Sequence, residues 1–321
     1  MHIIGYIHVC QLGDWQRSFR MLINSIKQSQ LYDNVNVIRI GVVNNVGKII
    51  NDPLLQDDKF ELMYLGYAAQ YERPTLLHMS ARSRVDPVDT FYFYLHTKGI
   101  KHFGTSSDSN IVGWINLMLY WNIFRWQYAT AVLKTYDVYG CNYIIDHISG
   151  NFWWATAKHI QRLPRHIESH YIAPEQWVTL IKDKVYSAYC SEYSEGGLYH
   201  NYLDPKKYMY LSNTDAYKTT LAMYKKLIDR KNAKAAKSTK FHKYNNMVGT
   251  IMDNKSDKSS TLIVAKPSRS VTLSNVKKVN TINTKNTKIS INKPNRARTN
   301  AISTMTSSKN NKFTLSNIMN R

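Results

Sequence analysis

Cysteine is scarce in this chain of 321 residues, which has only Cys10, Cys141 and Cys190. The number is odd and no C-x-x-C pair occurs, which argues against a disulfide framework or a thiolate zinc site. Long apolar runs are also missing. The most apolar stretch, residues 111–126, contains Asn116, Asn122 and Arg125 and falls short of the roughly 20 residues a bilayer span requires. The opening Met-His-Ile-Ile-Gly-Tyr-Ile-His lacks the basic region and the extended apolar core of a signal peptide. No Walker A loop and no G-x-G-x-x-G occurs. These absences predict a soluble protein in a reducing compartment, with no transmembrane segment.

Acidic residues become rare in one part of the chain only. The net charge is +21, from 43 Lys+Arg against 22 Asp+Glu. Residues 1–217 hold 20 basic and 19 acidic side chains, whereas residues 218–321 hold 23 and 3. A uniformly basic domain is excluded; the pattern is a near-neutral body with a cationic tail. Aromatics divide at the same point, with all seven Trp, 21 of 23 Tyr and seven of nine Phe at or before residue 217. The body has enough apolar material for one sizeable core. Residues 218–237 read as a C-terminal helix, with Leu221, Tyr224 and Leu227 at helical spacing. Residues 238–321, rich in Lys, Asn, Ser and Thr without a periodic apolar stripe, read as a disordered basic tail.

Within the body, strand-like and helix-like segments alternate. Residues 2–9, 36–43, 60–65 and 90–95 are compact apolar runs of strand length. Trp15, Phe19, Leu22, Ile23 and Ile26 mark one face of a helix, and Pro74 marks the start of another. A long helix is predicted across residues 109–135, followed by short strands at 138–143 and 152–155. This alternation implies an α/β sandwich around a mostly parallel sheet.

Three constellations carry candidate chemistry. The strand Thr-Phe-Tyr-Phe-Tyr-Leu runs directly into His96, Thr97, Lys98 and Gly99, at the strand end where open α/β sheets bind ligands. A Lys there can neutralise a phosphate and a Gly lets backbone N–H groups approach one, although such residues are also ordinary strand-to-loop neighbours. The second is His147, Ser149, Gly150 and Asn151 followed by Phe152, Trp153 and Trp154. Indole rings offer flat platforms for sugars, with Asn and His beside them as directional partners; core packing is the alternative for at least one Trp. The third is Pro174-Glu175-Gln176-Trp177, either a helix start favoured by its dipole or a site for a general base. His166 and His170, spaced i, i+4 without a third ligand, read as surface residues, and Asp57-Asp58, Asp86 and Asp89 as strand-flanking turns.

Together these segments resemble GT-A-like glycosyltransferase domains of bacteria and giant DNA viruses. The matching pieces include His8, Trp15 and Leu31-Tyr32-Asp33; Tyr71-Glu72-Arg73-Pro74-Thr75-Leu76; Tyr94-Leu95 with His96-Thr97-Lys98-Gly99; Tyr136 to Gly140; His147 with Ser149 to Ala155; Leu163-Pro164; and Pro174 to Trp177. The resemblance covers nearly all of residues 1–217 and none of the tail. It implies a single Rossmann-type domain that moves a sugar from a nucleotide-sugar donor to a glycan or protein hydroxyl, in the cytoplasm of the producing or infected cell or packaged in a virion. Most GT-A enzymes place an Asp-x-Asp site for Mn²⁺ or Mg²⁺ at a strand end near mid-domain. Here that strand end carries His96-Thr97-Lys98 and no acidic pair, so no metal ligand is assigned and Lys98 with His96 is expected to stabilise the diphosphate directly. Glu175 is then the expected base. Thr97, Gly99, His147, Ser149, Gly150, Asn151, Trp153, Trp154 and Trp177 are the expected donor and acceptor contacts. Two other readings remain open: a catalytically silent domain that binds a glycan or nucleotide sugar, and a protein that contacts nucleic acid or an acidic membrane nonspecifically through its tail.

Overall fold

A computed structural model describes residues 1–144, 146–182, 184–194, 197–230 and 232–233. The tail predicted over 238–321, and the end of the helix predicted over 218–237, lie outside the described residues.

The chain begins with β1 (His2–Cys10), α1 (Trp15–Gln28) and a short turn of helix, α2 (Leu31–Asn34). Then come β2 (Val37–Asn44), β3 (Phe60–Tyr67), α3 (Arg73–Arg82) and β4 (Thr90–His96). After α4 (Asp108–Leu119) and α5 (Trp126–Val132) follow the short strands β5 (Val138–Gly140), β6 (Tyr143–Ile144), β7 (His147–Ile148) and β8 (Trp153–Thr156). The helices α6 (Ala157–Arg162) and α7 (Ala173–Trp177) precede β9 (Val185–Ser187). A further helix covers residues 213–230.

Seven strands form one mixed sheet in the order β3-β2-β1-β4-β8-β5-β9. All pairings are parallel except those of β8 with β4 and β5. The expected mostly parallel α/β sheet is therefore present. Strands β6 and β7 form a separate two-stranded ribbon.

Side-chain alternation along β4 explains its continuous apolar sequence. Phe93 and Leu95 enter one core with Trp15, Phe19 and Leu22 of α1 and with α4. Tyr92 and Tyr94 enter a second core with Leu76 and Met79 of α3 and with α6 and α7. Burial on both faces requires apolar residues at every position. The same geometry separates Trp154, which joins the first core, from Trp153, which joins the second.

The single long helix expected over 109–135 is corrected by the structure. A π-helical turn, Tyr120–Phe124, and a kink at Arg125 (φ −107°, ψ 29°) divide it into α4 and α5. Inserting a π turn rotates the apolar face, so Trp121 and Trp126 both remain buried. In the helix over 213–230, Leu227 is buried and Tyr224 half-buried as expected, whereas Leu221 is exposed and Ala216, Thr220 and Met223 complete the inward face.

A buried ion pair fastens β2 to the loop before β4. Arg39 donates to Asp86 through Nη1 at 2.6 Å and Nη2 at 3.0 Å, and its Nε donates to Glu61 at 2.8 Å. The Tyr92 hydroxyl also donates to Asp86, at 2.8 Å. Burial pushes the Asp86 carboxyl up, but the Arg39 guanidinium and the Tyr92 hydroxyl outweigh it and hold the group below its ordinary value. Asp86→Asn should lower the free energy of unfolding in urea by about 3 kcal/mol, the cost of leaving a buried guanidinium underpaired. The wild-type advantage should be complete above the unfolded carboxyl pKa of about 3.9. It should vanish as pH falls through the lower folded value, which thermal melts of both proteins across acid pH would record.

Candidate functional site

The strand order places a crevice at one end of the sheet. From β1 the chain passes through α1 to β2 on one side, and β4 lies on the other side of β1. Helix α1 packs on one face and α3, which leads to β4, on the opposite face. Such a reversal leaves the carboxyl ends of the two central strands uncovered, the usual ligand position in open α/β sheets. A cleft of about 450 Å³ opens there. Its floor comes from His8 and Cys10 of β1 and from His96 to Gly99 at the end of β4. Tyr71 and Glu72 ahead of α3, Tyr171 and Glu175 near α7, and Tyr199 form much of its walls.

Residues His8 and His96 lie opposite each other in the β1–β4 ladder. The Thr97 N–H extends that ladder by donating to the His8 carbonyl at 2.9 Å, and the Cys10 N–H donates to Thr97 Oγ1 at 3.0 Å. His8 Nδ1 is 2.8 Å from Thr75 Oγ1. The residue opposite His8 on the β2 side is Gly41, where a Cβ would lie 2.2 Å from that same Thr75 oxygen. Glycine at position 41 thus leaves room for the contact that orients His8. Burial lowers the His8 pKa to about 4, with the nearby Glu72 carboxylate opposing and His96 assisting the shift.

The next imidazole, His96, has its Nε2 at 2.9 Å from the Gly150 carbonyl. A carbonyl can only accept, so Nε2 carries the proton. Burial and then the Lys98 charge lower the His96 pKa to about 3, against the bond from Gly150. Its Nδ1 faces Glu72 Oε1 at 3.6 Å. Gly150 adopts φ +88°, and a Cβ there would lie 2.4 Å from Met118 Sδ, so glycine is required to present this carbonyl.

Of the two lysines that line the cleft, Lys98 and Lys101, Lys98 is the buried one, only 6 % exposed. Its Nζ sits 3.8 Å from the centroid of the Trp114 ring and 5.7 Å from that of Tyr199. Among the described residues no carboxylate lies within ion-pair distance of it. Burial lowers the Lys98 pKa, while Glu175 and Glu72 pull it back up. Glu175 shows the complementary effect: burial raises its carboxyl pKa against the Lys98 charge, with Glu72 adding to the rise. The cleft therefore joins the desolvated Lys98 ammonium and Lys101, the carboxyl groups of Glu72 and Glu175, and the imidazoles of His8, His96 and His102. Tyr71 and Tyr171 meet edge to face at a centroid distance of 5.1 Å.

The structure brings together only part of the residue set expected from sequence. His96, Thr97, Lys98, Gly99 and Glu175 all line the cleft. Trp153 and Trp154 do not: both are fully buried, stacked on Tyr94 and packed on Phe93 respectively. Their indole N–H groups are spent on Asn151 Oδ1 at 2.8 Å and the Asn122 carbonyl at 2.7 Å. Trp177 is likewise buried, donating to the Pro164 carbonyl at 3.0 Å. The expectation that Asn151, Trp153, Trp154 and Trp177 contact a sugar is corrected to interior packing: β8 buries Trp153 and Trp154 on its two faces, Asn151 is buried accepting from Trp153, and Trp177 is buried on α7. Ser149 and Gly150 lie behind the cleft, where Gly150 acts through His96. His147 pairs with Asp146 at 2.7 Å, and Asp146 accepts from Gln176 of α7 at 3.2 Å, so this pair braces the helix carrying Glu175.

No site role was expected for Tyr71 or Glu72, which stand only within a segment that carries the resemblance, nor for Tyr171, Tyr199 or Trp114. The signal for the first two was present: they follow β3 and immediately precede a Pro-marked helix start, at the same end of the sheet as His96. The other three come from separate connections that only the fold brings near.

Among the described residues no group of three or more His, Cys, Asp or Glu side chains is arranged to hold a metal ion. The comparable strand end instead places the Lys98 ammonium in the cleft, which does not fit a divalent cation. Also among the described residues, no helix is long and apolar enough to cross a membrane. No protein-family profile matches the chain, and no curated protein or solved structure matches it significantly.

Both floor imidazoles should stay neutral far below the usual histidine pKa of about 6.5. Histidine C2–H resonances followed by NMR should place His8 near pH 4 and His96 near pH 3. Because these values are depressed, the histidine contribution to stability is complete above the unfolded pKa and is lost as pH falls below it. Either ring titrating near neutrality would contradict this desolvated floor.

Proposed function

We propose that the chain is a glycosyltransferase that moves a sugar from a nucleotide-sugar donor to a hydroxyl acceptor. The observation that carries this reading is Lys98: a buried ammonium at the strand-order reversal, resting on an indole face with its hydrogen-bonding capacity free for an anionic ligand. Holding a cation this way is costly without a partner, and a diphosphate supplies one. The resemblance to GT-A-like domains supports the same assignment.

In the proposed reaction the bond between the sugar anomeric carbon and the diphosphate oxygen breaks. The leaving charge is stabilised by Lys98. The acceptor oxygen forms the new bond to the anomeric carbon and gives its proton to a base. Glu175 suits that role because burial raises its carboxyl pKa, and with it its basicity, against the opposing Lys98 charge. The arrangement calls on no metal for the departing diphosphate. A silent sugar-binding domain would use the same cleft but would not release nucleotide.

Nucleotide sugars presented singly should identify the donor by a raised melting temperature, since a ligand at 100 times its Kd adds about 2.7 kcal/mol. Lys98→Met should weaken that donor about tenfold or more, as expected for loss of a charged hydrogen bond. Glu175→Gln should retain donor binding yet lower kcat by about 10² or more. In the wild type, kcat should fall with decreasing pH at a value above the ordinary carboxylate range. Nucleotide binding without release under any acceptor condition would assign the silent alternative, and transfer that strictly requires Mn²⁺ or Mg²⁺ would defeat the metal-free form of the mechanism.

A further inference from the structure

Two hydrogen-bond acceptors face each other inside the cleft. His96 Nε2 is committed as donor to the Gly150 carbonyl at 2.9 Å, so the neutral ring presents a lone pair at Nδ1. Opposite that lone pair, at 3.6 Å, is Glu72 Oε1. The two groups are too far apart for a direct hydrogen bond, and a carboxylate oxygen and an imidazole lone pair have no donor between them. Their approach is repulsive unless a donor joins them. Protonating His96 would remove the repulsion, but burial and the Lys98 charge oppose it.

The surroundings identify the donor. Glu72 and His96 belong to different elements, and both are held in place. Glu72 directly precedes α3, whose first residue, Arg73, donates to the carbonyls of Glu168 at 2.7 Å and His170 at 2.5 Å. Its other neighbour, Tyr71, is kept at φ +51°, ψ −142°, a region that a tyrosine rarely occupies. Backbone held there must be stabilised by its surroundings, and such residues concentrate at functional sites. This backbone sets the Tyr71 ring against Tyr171, both at the cleft wall. Aromatic faces beside a carboxylate and a neutral imidazole match a polyhydroxylated ring, with C–H groups on the aromatic side and O–H groups toward the acceptors.

We infer that Glu72 Oε1 and His96 Nδ1 form a paired acceptor that receives a hydroxyl group of a sugar, with Tyr71 and Tyr171 flanking it. The assignment deepens the glycosyltransferase reading and rests on it for the origin of the sugar, which is either the donor's glycosyl unit or the acceptor. A metal ion between the same two atoms is the competing occupant. It is disfavoured by the lack of a third ligand among the described residues and by the Lys98 charge in the same cleft.

The test uses the full chain, wild type and Glu72→Gln. A Gln amide can donate directly to His96 Nδ1, closing the pair while conserving volume. The probes are methyl glucoside, galactoside, mannoside and N-acetylglucosaminide, together with the corresponding nucleotide sugars and the free nucleotides. If the sugar comes from the acceptor, Glu72→Gln weakens the glycoside that binds by about tenfold or more, the loss of one charge-assisted hydrogen bond. If it comes from the donor, the variant abolishes the extra affinity of the nucleotide sugar over its nucleotide. In both cases binding of the free nucleotide is unchanged. Nitrogen-15 NMR of the free wild-type protein should show the His96 proton on Nε2, a readout that does not depend on the variant folding.

A proton on Nδ1 overturns the inference. So does undiminished sugar binding by a folded Glu72→Gln protein, or Mn²⁺ broadening centred on His96 and Glu72. Failure of every glycoside and nucleotide sugar to bind better than nucleotide alone also overturns it. Glycoside binding that needs Glu72, in a protein that ignores nucleotides, would uphold this site while defeating the transferase assignment. Transfer that proceeds equally well in Glu72→Gln would do the reverse.

Discussion

The adjacency of β1 and β4, two parallel strands entered from opposite directions in the strand order, is the constraint on which the site depends. It aligns His8 with His96 across the ladder, and the Thr97 contacts to His8 and Cys10 continue that register past the last strand residue. With α1 and α3 on opposite faces, neither helix roofs the strand ends. A sheet whose order never reversed would have covered them. The cleft is thus a product of topology first, and its chemistry comes from whichever side chains the two central strands and their loops deliver.

Desolvation then determines how those side chains behave. His96 and Lys98 leave water because they end a strand buried on both faces. The imidazole responds by staying neutral, with its proton held on Nε2 and donated to the Gly150 carbonyl. The Lys98 amine, whose pKa burial lowers while Glu175 and Glu72 oppose the shift, rests on the Trp114 ring. Burial acts in the opposite sense on Glu175, and the Lys98 charge restrains it. These groups moderate one another, so a ligand that compensates one changes the basicity of the others.

Packing took over residues that looked like binding groups. Adjacent tryptophans are rare, and their surfaces suit sugars, yet on a central strand successive side chains enter opposite cores. Trp153 and Trp154 consequently serve two separate interiors. The aromatic faces that reach the cleft are tyrosines from three different connections, none of which stands out in sequence. Asp86 shows a parallel case: it precedes a strand like many solvated turn residues, but Arg39 and Tyr92 make it part of a buried ionic network.

The order of strands and helices from β1 to β4, the apolar face of α1, the double-sided burial of β4 and the chemistry-bearing end of that strand follow from short-range periodicity. The strand expected over 138–143 is instead divided into β5 and β6 in separate sheets, and α6 and β9 were not foreseen. The division of charge between body and tail is equally a property of sequence. Local pattern also marked Lys98, His96 and Glu175, because residue type and position at a strand end or helix start are local features. The antiparallel insertion of β8, the π turn that splits α4 from α5, and the placing of Tyr171 and Tyr199 at the cleft and of Trp114 against Lys98 were decided only by tertiary structure. Each depends on contacts between segments far apart in the chain, where the outcome is set by what packs against what rather than by any residue's immediate neighbours.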